Sequence, residues 1–118
     1  MRMAGLRDRT KNYALRVIKL YSALPKSVEA QVTGKQLLRS GTSVAANFRE
    51  ASRARSDAEF IAKLGIVEQE LDESLLWLEL LVESTIMPEH LLAELMKESD
   101  ELLRIIVKAV QSTKAGKK

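Results

Sequence analysis

Lys35, Arg39, Arg49 and Arg53 are spaced to act together in this chain. Advancing about 100° per residue along a helix gathers them into one stripe. Four cations on one helical face can neutralise phosphates and release the counterions those phosphates hold. They can equally pair with the acids of a later segment (Glu68, Glu70, Asp72, Glu73), in the same or a neighbouring subunit. Both readings stay open. Beside the cations runs a neutral-polar stripe of Gln36, Ser40, Ser43, Asn47 and Glu50. Short polar side chains are poor helix formers in a helix interior, so something else must retain them. A helix contact, with small side chains hydrogen-bonding across an interface, is preferred over a ligand surface. Gly34 and Gly41 on the adjoining face permit the same closeness to another helix, at about 1 kcal/mol each in helix propensity.

Other chemistries find little to work with. Cysteine is absent, which removes disulfides, thiolate metal sites and thiol nucleophiles. The one histidine, His90, has Met87 three residues before it, so the Glu-x-x-His pairs of a di-iron bundle are missing. No Gly-x-Ser-x-Gly elbow and no glycine-rich phosphate loop occurs. His90 is expected exposed on the first turn of the last helix, and Trp77 in the core or at a subunit contact. Tyr13, Tyr21, Phe48, Phe60 and Trp77 mostly sit at core spacing, so base stacking for sequence-specific single-strand readout is not expected. No catalytic residue, metal or cofactor is assigned.

The elements that must position these residues are helices. The 118 residues suit one domain, 1–118, with 46% apolar and 30% charged residues but only 5 Gly and 2 Pro to interrupt them. Apolar spacing places four helices at about 7–24, 27–54, 57–85 and 88–112, with a frayed basic tail over 113–118. Pro25 stops the first, since the residue before a proline avoids helical backbone. In the second, Leu37, Gly41, Val44, Phe48 and Ala51 alternate by four and three. Ser56-Asp57-Ala58-Glu59 forms a capping box for the third, whose inward positions are Phe60, Leu64, Val67, Leu71, Leu75, Leu78 and Val82. Pro88 and Glu89 suit the start of the fourth, with Leu91, Leu95, Leu102, Ile106 and Val110 inward. Short connections imply an all-α, up-down antiparallel four-helix bundle.

Charge is segregated along the chain. Residues 1–55 hold 12 Lys/Arg against 3 Asp/Glu, a net of +9; residues 56–103 hold 2 against 13, a net of −11; residues 104–118 hold 5 against none, a net of +5. Such segregation suits opposite-charge pairing between helices or subunits, or a basic surface for an anionic partner. The most apolar run, Leu75 to Val82, is interrupted by Glu79 and falls short of a membrane span. With no apolar stretch behind the N-terminal cations, the chain is expected to be soluble and cytoplasmic.

The run from Gln36 to Ala51, Gln-Leu-Leu-Arg-Ser-Gly-Thr-Ser-Val-Ala-Ala-Asn-Phe-Arg-Glu-Ala, resembles the signature helix of the bacterial 23S rRNA intervening-sequence proteins. That group is similar to the accessory variability determinant proteins of diversity-generating retroelements. The likeness continues through Arg53 to Ser56, Glu59-Phe60-Ile61, Glu70 to Ser74 and Trp77 to Leu81, and covers about residues 8–112. It implies an up-down bundle that assembles into rings of five subunits. Some members are encoded inside insertions in 23S rRNA genes, and the retroelement relatives work with a reverse transcriptase and its RNA template. The family-pattern positions here are Gln36, Arg39, Ser43, Asn47, Glu50 and Arg53, and no catalytic role attaches to them. Two positions depart from the pattern. Ala45 stands where many members have proline and Ala51 where they have glycine, so the second helix is expected to be straighter.

The reading that follows is a non-catalytic homo-oligomeric bundle that binds structured RNA through backbone electrostatics. Lys35, Arg39, Arg49 and Arg53 would contact phosphate, helped by Arg7, Arg9, Lys11, Arg16 and the C-terminal lysines. The alternative is a protein–protein scaffold without direct nucleic-acid binding.

Overall fold

The computed structural model describes Met3 and residues 5–116. Four helices follow in order: α1 (Leu6–Ala23), α2 (Val28–Ser52), α3 (Asp57–Glu83) and α4 (Glu89–Ala115). No strand occurs among the described residues. The helices alternate in direction and stack into a bundle of 51 × 20 × 19 Å. Each helix packs along its sequence neighbour, whereas α1 and α4 meet over a short stretch only.

Local chemistry sets the ends. Leu24 turns to extended backbone before Pro25 and closes α1. The Ser27 hydroxyl accepts from the Ala30 N–H at 3.2 Å and opens α2. At α3 the Ser56 hydroxyl accepts from the Glu59 N–H at 3.0 Å, as the capping box requires. The returning bond goes one residue further upstream, from the Arg55 N–H to the Glu59 carboxylate at 2.8 Å. Between α3 and α4, Thr85 takes a left-handed φ of 62° and the Met87 N–H donates to the Leu81 carbonyl at 3.0 Å.

The core runs the length of the bundle and includes Tyr13, Val17, Leu37, Val44, Phe48, Leu64, Leu71, Leu78, Leu102 and Ile106. The two helical glycines of α2 let α1 approach closely. A Cβ on Gly41 would lie 2.8 Å from Val17 Cγ2, and one on Gly34 would lie 2.9 Å from Tyr21 Cδ1. Across the middle, each helix contributes one buried polar residue. Tyr13 Oη and Ser99 Oγ are 2.6 Å apart, and Ser40 Oγ and Ser74 Oγ are 2.7 Å apart. Ser99 gives its own proton to the Leu95 carbonyl at 2.9 Å, so the Tyr13 phenol is the donor between them. Burial pushes the Tyr13 phenol up from its ordinary value.

Three expectations change in detail. Leu91 is exposed, at 59%, and Leu92 takes the buried place. Leu91 shares the α1-facing side of α4 with Glu94, Glu98 and Glu101, and α1 barely covers that side. On α3, Leu75 and Val82 are half-buried, while Ser74 and Leu81 are fully buried. That rotation follows from α2 being the neighbour against which α3 packs most. The frayed tail is shorter than expected, since α4 continues through Ala115, with the Thr113 hydroxyl donating to the Ala109 carbonyl at 2.8 Å. No helix breaker precedes Gly116, and Lys114 complements the negative end of the helix dipole. Lys117 and Lys118 lie outside the described residues.

Candidate anion-binding cleft

The charge segregation of the sequence becomes four unlike seams in the bundle. α1 and α2 are basic, α3 and the first part of α4 acidic. The α2/α3 and α1/α4 seams therefore join cations to carboxylates. The α1/α2 seam joins cations to cations.

At the mixed seams the cations are consumed. Arg9 Nε lies 2.7 Å from Glu98 Oε2, and Arg9 Nη2 lies 2.8 Å from both Glu98 Oε1 and Glu101 Oε1. This fork holds the Glu98 carboxyl below the usual carboxylate range, with the Arg9 hydrogen bond as the main cause. Arg16, on the same side of α1, adds a smaller effect of the same sign. Arg39 is engaged likewise, with Nη2 at 3.1 Å from Glu70 and 2.8 Å from Glu73. The hydrogen bond to Glu70 is the chief reason its guanidinium is pushed up. The structure thus assigns Arg9 and Arg39 to intramolecular ion pairing, the other reading the sequence left open for the basic stripe.

At the α1/α2 seam the outcome is different. Arg7 and Lys11 from α1 face Arg49 and Arg53 from α2 across a cavity of about 370 Å³ floored by Ala45 and Ala46. The register of the pair, with Gly41 against Val17, brings the start of α1 beside the end of α2. None of these four cations forms an ion pair with a described residue. The positive dipole end of α1 and the negative end of α2 meet here and offset, so side-chain charge decides the sign of the cleft. Glu50 is the one acid among its lining residues, and its carboxylate is drawn to Lys63 of α3 at 2.6 Å. Lys35 is exposed on α2 but does not line the cleft.

The polar stripe divides as well. Ser40 crosses to Ser74, as a helix contact requires. Ser43 and Asn47 do not cross; the Asn47 amide donates back along its own helix to Ser43 O at 3.0 Å and Oγ at 2.8 Å. Gln36 is exposed. Trp77 is half-buried and its indole N–H is enclosed without a hydrogen-bond acceptor among the described residues. His90 is exposed at the start of α4. No group of three potential metal ligands occurs among the described residues, and no helix there is long and apolar enough to cross a membrane.

Sequence reasoning missed Ala45 as part of this site, Lys63 as the residue that holds the carboxylate of Glu50, and Tyr13, Ser74 and Ser99 as parts of the buried polar layer. The serines left a signal, since Ser74 and Ser99 interrupt the apolar series Leu71-Ser74-Leu78 and Leu95-Ser99-Leu102. Lys63 left none, because its role depends on a carboxylate 13 residues earlier.

Residues 6–108 match the family described as 23S rRNA-intervening sequence protein. The chain belongs to this family. Its fold and sequence are also similar to a crystal structure from Bacteroides thetaiotaomicron VPI-5482, a protein of unknown function from the S23 ribosomal protein family. The two are 36% identical, the match covers 88% of this chain and 96% of that one, and the TM-score is 0.82. No curated protein matches the chain.

Proposed function

We propose that this family member is a non-catalytic, cytoplasmic accessory protein that binds structured RNA through its phosphate backbone, using the α1/α2 cleft. One observation carries the reading: Arg7, Lys11, Arg49 and Arg53 converge on one cavity with no ion-pair partner among the described residues, in a chain that pairs Arg9 and Arg39. Cations held together without counter-charges repel one another, and an anion relieves that repulsion. Assembly into a ring of five subunits belongs to the same reading, because repetition would turn a weak patch per subunit into useful avidity.

The test is a titration of fluorescently labelled structured RNA at two salt concentrations, beside an Arg49→Glu/Arg53→Glu variant. Affinity that falls steeply with salt and is lost in the variant supports the reading. No binding at low salt retires it. Mass in solution tests the ring: a monomer removes the avidity argument.

A second reading, self-association or a protein partner, is favoured by a different observation. The α3/α4 seam is lined by Glu68 and Asp72, opposite in charge to the α1/α2 cleft, and Val28, Val32, Leu76 and Leu80 are exposed. Salt-dependent assembly without RNA affinity would select it.

A further inference from the structure

The positive charge of the α1/α2 seam is confined. Arg7 and Lys11 are one helical turn apart, as are Arg49 and Arg53, so the cations span about 6 Å on each side. Further along α1 the outward residues Leu15 and Ile18 are 53% and 44% exposed. On α2, Thr42 turns its hydroxyl back to the Leu38 carbonyl at 2.7 Å. A groove that tracks an extended strand carries cations along its length and aromatic side chains for the bases. The cleft has no aromatic among its lining residues, its cations lie within one turn of each helix, and its Ala45 and Ala46 offer no face on which a base could stack.

Such a site suits an anion whose charge is compact. A linear triphosphate carries about four negative charges near neutral pH, roughly one on each inner phosphoryl group and two on the terminal one. Four cations face it here, and the one carboxylate that would oppose it is held by Lys63. We propose that the cleft is a triphosphate site whose ligand is the 5′-triphosphate end of an RNA chain, the rest of which lies outside the cleft. The proposal rests on the reading of the cleft as the RNA-binding site and narrows it from the backbone to the chain end.

One RNA oligonucleotide prepared with a 5′-triphosphate, a 5′-monophosphate or a 5′-hydroxyl tests it, bound to the full chain with EDTA present so that no divalent ion bridges the phosphates. The expected result is at least tenfold tighter binding of the triphosphate end. That preference should vanish in Arg49→Gln/Arg53→Gln and persist in Arg104→Gln, which removes an exposed cation of α4 outside the cleft, with helix content checked by circular dichroism. Competition by tripolyphosphate and by ATP separates the sources of the same chemistry. Displacement of the triphosphate RNA at concentrations near its own dissociation constant supports the triphosphate site but overturns the RNA end as its ligand. Equal affinity for all three ends overturns the proposal and leaves backbone binding standing. Absence of binding to every RNA and to tripolyphosphate overturns both.

Discussion

Arg9 and Arg7 stand two residues apart on α1 and meet opposite fates. Arg9 turns toward α4 and is gripped by Glu98 and Glu101, whereas Arg7 turns toward α2 and finds Arg49 and Arg53. Arg39 and Arg49 repeat the contrast on α2, the first paired with Glu70 and Glu73, the second in the cleft. What an arginine does in this bundle depends less on its own position than on the sign of the helix across the seam. Consecutive helices of an up-down bundle pack together, so two consecutive basic helices share a seam poor in acids, and the one carboxylate there, Glu50, is held by Lys63. A matched seam contributes stability; an unmatched one withholds it and leaves charge available for a ligand.

The contrast can be broken most severely in the cleft. Arg49→Gln/Arg53→Gln removes two charge-assisted contacts of about 1–1.5 kcal/mol each, so RNA affinity should fall roughly 30- to 150-fold. The log–log salt slope should flatten by about 1.8 in the same titration, and thermal unfolding should show a melting temperature unchanged or raised as cation repulsion is relieved. A fall in melting temperature with intact RNA affinity would reverse the roles assigned to the two seams.

Gly41→Ala attacks the seam itself. The added methyl meets stiff, β-branched Val17, and overpacking of about 1–3 kcal/mol exceeds the roughly 1 kcal/mol gained in helix propensity. Urea unfolding should show a lowered midpoint. RNA affinity should fall with it, since α1 must shift away from α2 and widen the cleft.

Arg9→Gln sharpens the contrast from the matched side. The fork to Glu98 and Glu101 is about one-third exposed, so its loss should cost about 1 kcal/mol or less after solvent screening, with RNA affinity unchanged. The pH dependence carries the signature. Glu98 titrates below its unfolded value in the native state, so its contribution is present at neutral pH and disappears as the pH falls through and below the ordinary carboxylate range. Stability measured by urea unfolding should therefore lose less on acidification in the variant than in the parent chain.

The smallest effect is expected from Lys63→Met. Lys63 lies outside the cleft, but its loss frees the Glu50 carboxylate to turn toward Arg53 or Arg49. RNA binding should weaken by a few-fold, and Glu50→Gln in the same chain should restore it. No change in either variant would mean that Glu50 never competes for the cleft.

The sequence by itself determined the helices and their order. Apolar spacing, Pro25, the Ser56 cap and Pro88 are local signals, and each marks an end that the structure places within a few residues. It also determined the sign of every helix, which is fixed by composition before any packing. Inward positions of α2 were legible because Leu37, Gly41, Val44, Phe48 and Ala51 share one stripe. Those of α3 and α4 were legible only in part. α3 is apolar nearly all round, so periodicity cannot choose between Leu75 and Leu81 until α2 covers one side. On α4 both Leu91 and Leu92 border the apolar stripe, and the divergence of α1 decides between them.

Only the tertiary structure decided which cations are free. The sequence offered Lys35, Arg39, Arg49 and Arg53 as phosphate contacts with Arg7, Arg9, Lys11 and Arg16 as helpers, and rotation of each helix about its axis sorted them differently. It sent Arg9, Arg16 and Arg39 toward acidic neighbours and left Arg7, Lys11, Arg49 and Arg53 around one cavity. It also turned Ser40 inward to Ser74 while leaving Asn47 bonded within its own helix. Those differences amount to a fraction of a helical turn. Helix periodicity fixes which residues share a stripe, but the direction a stripe faces is set by the summed packing of all four helices, and no local stretch of sequence contains that sum.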